Sequence, residues 1–482
     1  MTISLVDIDL TFFYILWALA LIPAVLQLNY LSLFFFSNLK KVSSSSKNSK
    51  KKSFPKVSIL IPSYNEKFVI ENTLKHLTKL KYPRDRLQLI VVDDSDDGTL
   101  EILEKEISRI KKLGIETKLI HRNERKGLKS GALNEGLKFV KGSYILALDA
   151  DTIVSNDFLA KAIPYVLANP EKKCVNFNRD FYNENFNMLT RTHSLTSFIK
   201  NDISMRTFSI FKIPFCSFGS CLLIDAPFLE KIGGWKDNMI ADDADVSYRI
   251  WMNGGMGEYV YNSTLFTIEA DPSYSIWKQR VLRISKGMGQ ALTKNLKGIL
   301  KSDLSIFQKI EFVLAGFAPI IGLFPLLFTF ISFAGLVLSF QSVQKIFTSV
   351  SYIALSVFLD MFLLASVFLS MRIRKLSLKN YILPLAVSTF ILGPLAIYHA
   401  IGFIEGLIDK KINFFKTPKF GDMKNFIDHY KPSILSKFGA VEIGFTIMSI
   451  AFILISIPRQ LYYVTFISSF YLSLILLSSF LI

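Results

Sequence analysis

The chain has 482 residues, of which 51% are hydrophobic and only 20% charged, a balance that excludes an ordinary soluble domain and points to a membrane. A formal net charge of +17 leaves nucleic acid, anionic lipid or an anionic substrate as partners; the basic residues cluster beside an apolar run, so membrane lipid is expected and nucleic acid is not. Cys174, Cys216 and Cys221 are too few for a disulfide framework, and five scattered histidines offer no obvious metal cluster.

Residues 10–38 carry no charge, and Phe12 to Phe35 is long enough to cross a bilayer. Asp7 and Asp9 precede this run and Leu33-Phe34-Phe35-Phe36 end it, unlike a cleaved signal peptide. Residues 1–38 are therefore expected to form a transmembrane anchor with its N-terminus outside. Seven lysines follow between Lys40 and Lys56, so 39–56 reads as a basic cytoplasmic linker.

Residues 57–275 are a different material. Strands are predicted at Val57–Ile61, Leu89–Val92, Thr117–Ile120 and Ile145–Leu148, with helices over Leu100–Leu113 and Lys129–Val140. Such alternation predicts an α/β domain: a mostly parallel sheet with helices on both faces, inserted between transmembrane helices. Ligands bind such sheets beyond the carboxyl ends of their strands.

Residues 276–311 are basic and amphipathic, which suits interfacial helices; a solvated domain helix gives the same pattern. Residues 312–482 are expected to be a C-terminal transmembrane region. Phe312–Phe340 and Phe347–Met371 read as a pair of spans. Residues 381–408 hold Pro384, Gly393 and Pro394 between two basic, inside-facing loops. A re-entrant segment is preferred there over a local failure of the charge rule. A basic cytoplasmic segment lies near 409–434, and 436–457 and 461–482 are the last two spans. The whole reads as a multi-pass cell-membrane protein of five or six spans with its 57–275 domain in the cytoplasm.

Four motifs in the domain bear on chemistry. Asp93-Asp94-Ser95-Asp96-Asp97 follows an apolar strand; it is either a solvated acidic turn or a ligand-compensated cluster. Asp149-Ala150-Asp151, a DxD motif, places two carboxylates where a hard divalent cation can bridge to a diphosphate, or simply caps a loop. His121 to Gly136 opens a helix with Gly127, Lys129 and Gly131, suited to phosphate or to ordinary capping. Asp242-Asp243-Ala244-Asp245 supplies either helix-start acids or a general base for a sugar hydroxyl.

In order along the chain, Ile61-Pro62-Ser63-Tyr64-Asn65-Glu66, Val91-Val92-Asp93-Asp94-Ser95, the Arg122 to Leu133 segment, Asp149-Ala150-Asp151, Phe218-Gly219-Ser220 and Gly233-Gly234-Trp235 with Asp242-Asp243-Ala244-Asp245 resemble the family 2 glycosyltransferases of the cellulose, hyaluronan and glucomannan synthase type. The likeness covers roughly residues 55–290 and implies a GT-A-like fold. It implies that Ser63, Glu66 and Asp94 contact the nucleoside with Asp93 beside them, and that Lys129 and Asp149 complete the donor site. Asp149 and Asp151 would manage a Mg2+ or Mn2+ ion, and Asp243 would be the catalytic base. Phe218, Gly219, Asp242, Gln279, Arg280 and Arg283 would line the acceptor or diphosphate side.

By the same resemblance, a nucleotide sugar is the donor, with UDP expected over GDP. Transfer inverts the anomeric centre, and the acceptor is a growing β-linked polysaccharide. A glycolipid synthase acting on a membrane lipid is the alternative, and a non-catalytic membrane protein with a degenerate transferase domain is a third reading. Asp242 stands where the family has Glu, and Trp277 to Gly287 departs from the family's Gln-x-x-Arg-Trp, with Arg280 for Gln and Ile284 for Trp. Phe415-Lys416-Thr417-Pro418-Lys419-Phe420 resembles a cytoplasmic segment of some of these enzymes. The sequence names no protein partner.

Overall fold

The computed structural model describes residues 5–39, 54–217, 219–338, 341, 345–346, 349–408, 416–430 and 440–458. Helix α1 (Leu5–Leu39) leads into an eight-stranded sheet of β1 (Val57–Ser63), β2 (Leu87–Asp93), β3 (Glu116–His121), β4 (Tyr144–Leu148), β5 (Ile153–Val154), β6 (Lys172–Phe181), β7 (Cys221–Asp225) and β8 (Met256–Ile268), ordered β3-β2-β1-β4-β7-β6-β8-β5. β1 and β2 read as almost continuous apolar runs because both of their faces are covered. Ile59, Ile61, Leu89 and Val91 face α2 (Ile70–Leu77), α3 (Thr99–Lys112) and α5 (Phe158–Ala168). Leu60, Ile90 and Val92 face α4 (Leu128–Leu137), joined there by α8 (Ala226–Lys231) and α9 (Asp242–Met252). The alternation of side chains along a strand separates the two cores.

The expectation of a mostly parallel sheet is corrected to a mixed one. β1 pairs in parallel with β2 and β4, β2 with β3, and β6 with β8. The pairs β4–β7, β6–β7 and β5–β8 are antiparallel. Apolar patterning identifies a strand but not its neighbour, and β7 returns beside β4 against its direction. The parallel half, β3-β2-β1-β4, is the half that carries the acidic strand ends.

α6 (Met188–Lys200) and α7 (Arg206–Phe211) lie between β6 and β7 in the chain, and α10 (Tyr274–Lys301) follows β8. α10 is not a helix lying free on a surface. Leu292 and Ile299 pack on Ala244, Tyr248 and Trp251, while Trp277 and Val281 pack on Val387, Ile391 and Leu395 of helix Leu378–Leu407. Glycines let the two backbones touch: a Cβ on Gly289 would lie 2.3 Å from the Phe403 carbonyl, and one on Gly406 only 2.1 Å from that of Lys286. Gly406→Ala is therefore expected to destabilise the protein by about 1–3 kcal/mol, read as a lower melting temperature in detergent. An unchanged melting temperature would show that the helices separate freely.

Among the described residues, one helix is long and apolar enough to cross a membrane, Ile8–Asn38. Leu378–Ser388 and Ile391–Leu407 pass only as a pair bent by 51°, the geometry of either a broken span or a re-entrant loop. The expected array of five or six flanking spans is not reproduced among the described residues. The run 312–340 is interrupted: α11 (Ile306–Phe317) ends in a 3-10 turn, Ala318–Gly322, with Pro319 at its start, before α12 (Leu323–Val337). Helices Val350–Ile373 and Ala440–Ser456 complete the apolar set, and α1 packs against α12 and Val350–Ile373. The expected span 461–482, most of the basic segment 39–56 and the two ends of the basic segment 409–434 lie outside the described residues.

Candidate active site

The first three strands end in register, with Ser63 beside Asp93 and Asp93 beside His121. Asp93 is fully buried and its carboxylate is engaged: the Ser95 hydroxyl donates at 2.6 Å, the Ser95 N–H at 3.2 Å, and His121 Nδ1 lies at 3.1 Å. Asp93 thus shapes the turn that presents its neighbour. Asp94 is gripped by both arms of Arg122, at 2.6 and 2.5 Å. Beside it the Arg125 guanidinium lies 3.7 Å over the Tyr64 ring. The Ser63 hydroxyl is buried with no hydrogen-bond partner in the described structure. Glu66 pairs with Lys416 at 3.0 Å, while its second oxygen is buried without a partner. Burial, reinforced by nearby Asp151 and opposed by Lys416, pushes the Glu66 carboxyl up to about 7.

The DxD motif follows directly on the end of β4. Lys129, on the first turn of α4, reaches Asp149 Oδ1 at 2.7 Å and Asp242 Oδ2 at 3.9 Å. Burial disfavours its charge, but Asp149, Asp242 and Asp243 outweigh that and hold its pKa above the usual lysine range. Asp242 and Asp243 open α9, so both helix-start acids face the site. Asp243 Oδ2 accepts from the Gly219 N–H at 2.7 Å, and its Oδ1 from the Ala244 N–H at 2.9 Å. Gly219 leaves little space for a side chain, since a Cβ would sit 3.1 Å from Asp243 Oδ2 and 3.2 Å from Lys129 Nζ and would press on both. Burial raises Asp243, against Lys129 and the two N–H groups. Burial also raises Asp242, to about 7, with Lys129 opposing and Asp243 and Asp149 adding. Asp151 behaves oppositely: its burial is outweighed by Lys419, whose ammonium lies at 2.9 Å, and its pKa falls below the usual range.

The structure therefore brings Lys129, Asp149, Gly219, Asp242 and Asp243 together, with Asp151, Glu66, Asp94 and Ser63 along the same strand-end edge. Arg283 donates to Thr417 Oγ1 at 3.2 Å, and Arg280 pairs with Asp271 at 2.8 Å. Gln279 does not join them; it lies on the exposed side of α10, as the helical offset from Arg280 dictates. Phe218 lies outside the described residues.

Motif reading did not place Lys416, Thr417 and Lys419 in the site. Their segment is anchored by Glu269, which accepts from the Phe420 N–H at 3.0 Å and the Gly421 N–H at 2.8 Å. The available signal was two lysines in a short, Pro-containing segment, which only a long-range contact turns into a site.

Among the described residues no three His, Cys, Asp or Glu side chains form a metal cage. That agrees with the chemistry of Mg2+ and Mn2+ at a nucleotide site, where one or two carboxylates suffice and the substrate's phosphates supply further oxygens. Asp149 and Asp151 each hold a lysine ammonium now, so the pair already accommodates positive charge. The residues fit a divalent ion shared with a diphosphate.

Residues 58–233 match the family described as Glycosyl transferase family 2. A probable glucomannan 4-beta-mannosyltransferase from Oryza sativa subsp. japonica is 34% identical over 217 residues, covering 43% of this chain and 37% of that protein. A glucomannan 4-beta-mannosyltransferase from Arabidopsis thaliana is 29% identical over 266 residues, covering 53% and 47%. The alignments thus span half of those proteins or less. A solved mannosyltransferase from Pyrobaculum calidifontis, in complex with GDP-Man and Mn2+, matches 83% of this chain and all of its own at 19% identity, with a TM-score of 0.56, and so shares the fold. The expected preference for UDP does not stand: the plant relatives are named mannosyltransferases, and the solved structure holds a GDP sugar. The acids read from the sequence were expected to meet ribose and diphosphate, which both nucleotides share, so they carry no signal that separates UDP from GDP. Residues 58–233 are thus similar to the family 2 glycosyltransferases, and the aligned stretch is similar to the plant glucomannan mannosyltransferases.

Proposed function

We propose that this chain transfers mannose from GDP-mannose to an acceptor hydroxyl at a membrane, with inversion at the anomeric carbon. The observation that carries this reading is the Asp243 carboxylate, oriented by two backbone N–H groups beside the Lys129–Asp149 pair. Asp243 takes the hydroxyl proton as the acceptor oxygen bonds to the anomeric carbon. The bond from that carbon to the diphosphate breaks, and GDP leaves with the electron pair. An α-linked donor thus gives a β-linked product. Lys129 and Arg283 supply positive charge on the diphosphate side. Asp149 and Asp151 hold the divalent ion, which when bound neutralises charge on the leaving diphosphate. Ser63, Glu66 and Asp94 take the nucleoside, and Asp93 sets the turn that presents Asp94. The apolar helices seat the domain at the bilayer, with the basic segments 39–56 and 409–434 on the cytoplasmic side.

The test supplies purified full-length protein in lipid with Mn2+ and a panel of nucleotide sugars, and measures nucleotide release. GDP-mannose is expected to be turned over at least about tenfold faster than UDP-glucose or UDP-N-acetylglucosamine, a gap worth about 1.4 kcal/mol in transition-state binding. Equal or faster release of UDP would end the proposal.

A further inference from the structure

The loop between β3 and α4 carries an arginine that the chemistry above does not use. Its neighbour Arg122 is the hub of that loop. While Nε and Nη2 of Arg122 hold Asp94, Nη1 donates to the Lys126 carbonyl at 3.0 Å and Nη2 to that of Leu128 at 3.2 Å. The Leu128 N–H closes the turn on the Arg125 carbonyl at 3.2 Å. Arg125 is thus bracketed by backbone that Arg122 ties to Asp94.

Tyr64 is fixed to the same acidic turn from the other side. Its neighbour Ser63 ends β1 and accepts from the Asp94 N–H at 2.9 Å, and the N–H of Asn65 donates to Ser95 Oγ at 2.7 Å. With both backbones tied to Asp94 and Ser95, the Arg125 guanidinium lies 3.7 Å over the Tyr64 ring. Both side chains are half-buried, so the pair borders solvent at the strand-end edge. Four residues further on, Lys129 meets Asp149 at 2.7 Å. A nucleotide with its diphosphate beside Lys129 and its nucleoside beside Asp94 has its base within reach of this pair.

A guanidinium laid over a ring has one face covered and donates from its rim. Guanine presents O6 and N7 side by side, two acceptors that match the arginine fork. Uracil has no such pair, because an N–H separates its two carbonyls. Holding the arginine over Tyr64 beforehand also cuts the ordering cost of the contact. We infer that Arg125, held over Tyr64, donates to O6 and N7 of the donor's guanine and so selects a GDP sugar over a UDP sugar. This rests on the GDP-mannose reading above. Arg125 acts in binding and specificity and takes no part in the displacement at the anomeric carbon.

The test measures nucleotide binding to the full-length protein in lipid with Mn2+, by calorimetry. The ligands are GDP, UDP, inosine diphosphate, which keeps O6 and N7 but lacks the amino group, and a GDP analogue with carbon in place of N7. GDP and inosine diphosphate are expected to bind alike, and the carbon analogue about tenfold more weakly. In Arg125→Met the affinity for GDP is expected to fall about tenfold, to that of the analogue, while the affinity for UDP holds. Arg125→Lys, a point charge without the fork, is expected not to restore it. Equal binding of GDP and the carbon analogue by the unaltered protein, or an Arg125→Met protein that loses GDP and UDP by the same factor, would each overturn the inference. The two claims fail separately. Tighter binding of UDP than of GDP by the unaltered protein removes the GDP-mannose reading, whereas a GDP preference that survives Arg125→Met removes only the role of Arg125.

Discussion

An Asp243→Asn protein is expected to bind GDP-mannose normally and to transfer about 10²–10⁴-fold more slowly. The amide keeps the shape of the side chain but cannot take a proton. It also presents an NH2 where two backbone N–H groups now donate to the carboxylate. Binding by calorimetry and transfer by product analysis distinguish a lost base from a lost site, and an Asn protein with wild-type turnover would sink the assignment. The pH profile is a second check. Asp243 and Asp242 are buried together, and Asp242 is pushed up to about 7, so the pair titrates with shared apparent values. A base must be ionised to act, so the rate is expected to fall as pH drops below neutrality, about tenfold per unit below the apparent value. Asp242→Asn removes a negative neighbour, which lowers the Asp243 pKa and moves that limb to lower pH. A limb that moved upward would show that Asp242 does not press on the base.

Chelation is expected to be the other large effect. EDTA should lower GDP release from GDP-mannose by about 10²-fold or more, with recovery in Mn2+. The diphosphate arrives with negative charge at an edge already holding Asp149, Asp151, Asp242 and Asp243, and Lys129, Lys419 and Arg283 together cannot offset both. Asp151→Asn should raise the Mn2+ concentration at half-maximal rate by at least about tenfold. It also strips the Lys419 ammonium of its 2.9 Å partner and leaves Glu269 and Asp271 as the nearby acids, so the melting temperature should fall as well. Measuring both separates a lost ligand from a loosened tail. Full activity in EDTA together with an unmoved Mn2+ requirement in Asp151→Asn would remove the metal from the mechanism.

The acidic edge of the sheet was legible because its residues are local to strand ends. Val91-Val92 running into Asp93-Asp94, and Leu146-Ala147-Leu148 running into Asp149, are readable as strands stopping at acids, and β1, β2 and β3 do end in register. Sequence could not say that Asp93 turns inward to Ser95 and His121 while Asp94 meets Arg122, because that depends on which way the chain bends after the strand. Gln279 was grouped with Arg280 and Arg283, although the helical offset of one residue already separates it from Arg280, and it lies on the exposed side of α10. The apolar runs were legible as helices but not as crossings, since Pro319 and the 51° bend alter path without altering hydropathy.

By itself the sequence determined the alternation of strands and helices, the acids at the strand ends and the acidic start of α9, all of which follow from patterns within about ten residues. Tertiary structure decided the antiparallel pairings of β7 and β5 and the descent of Lys416 and Lys419 onto Glu66 and Asp151. Those depend on contacts across tens to hundreds of residues. Such pairings are selected by shape and by charge compensation in the folded interior, and no local periodicity encodes them.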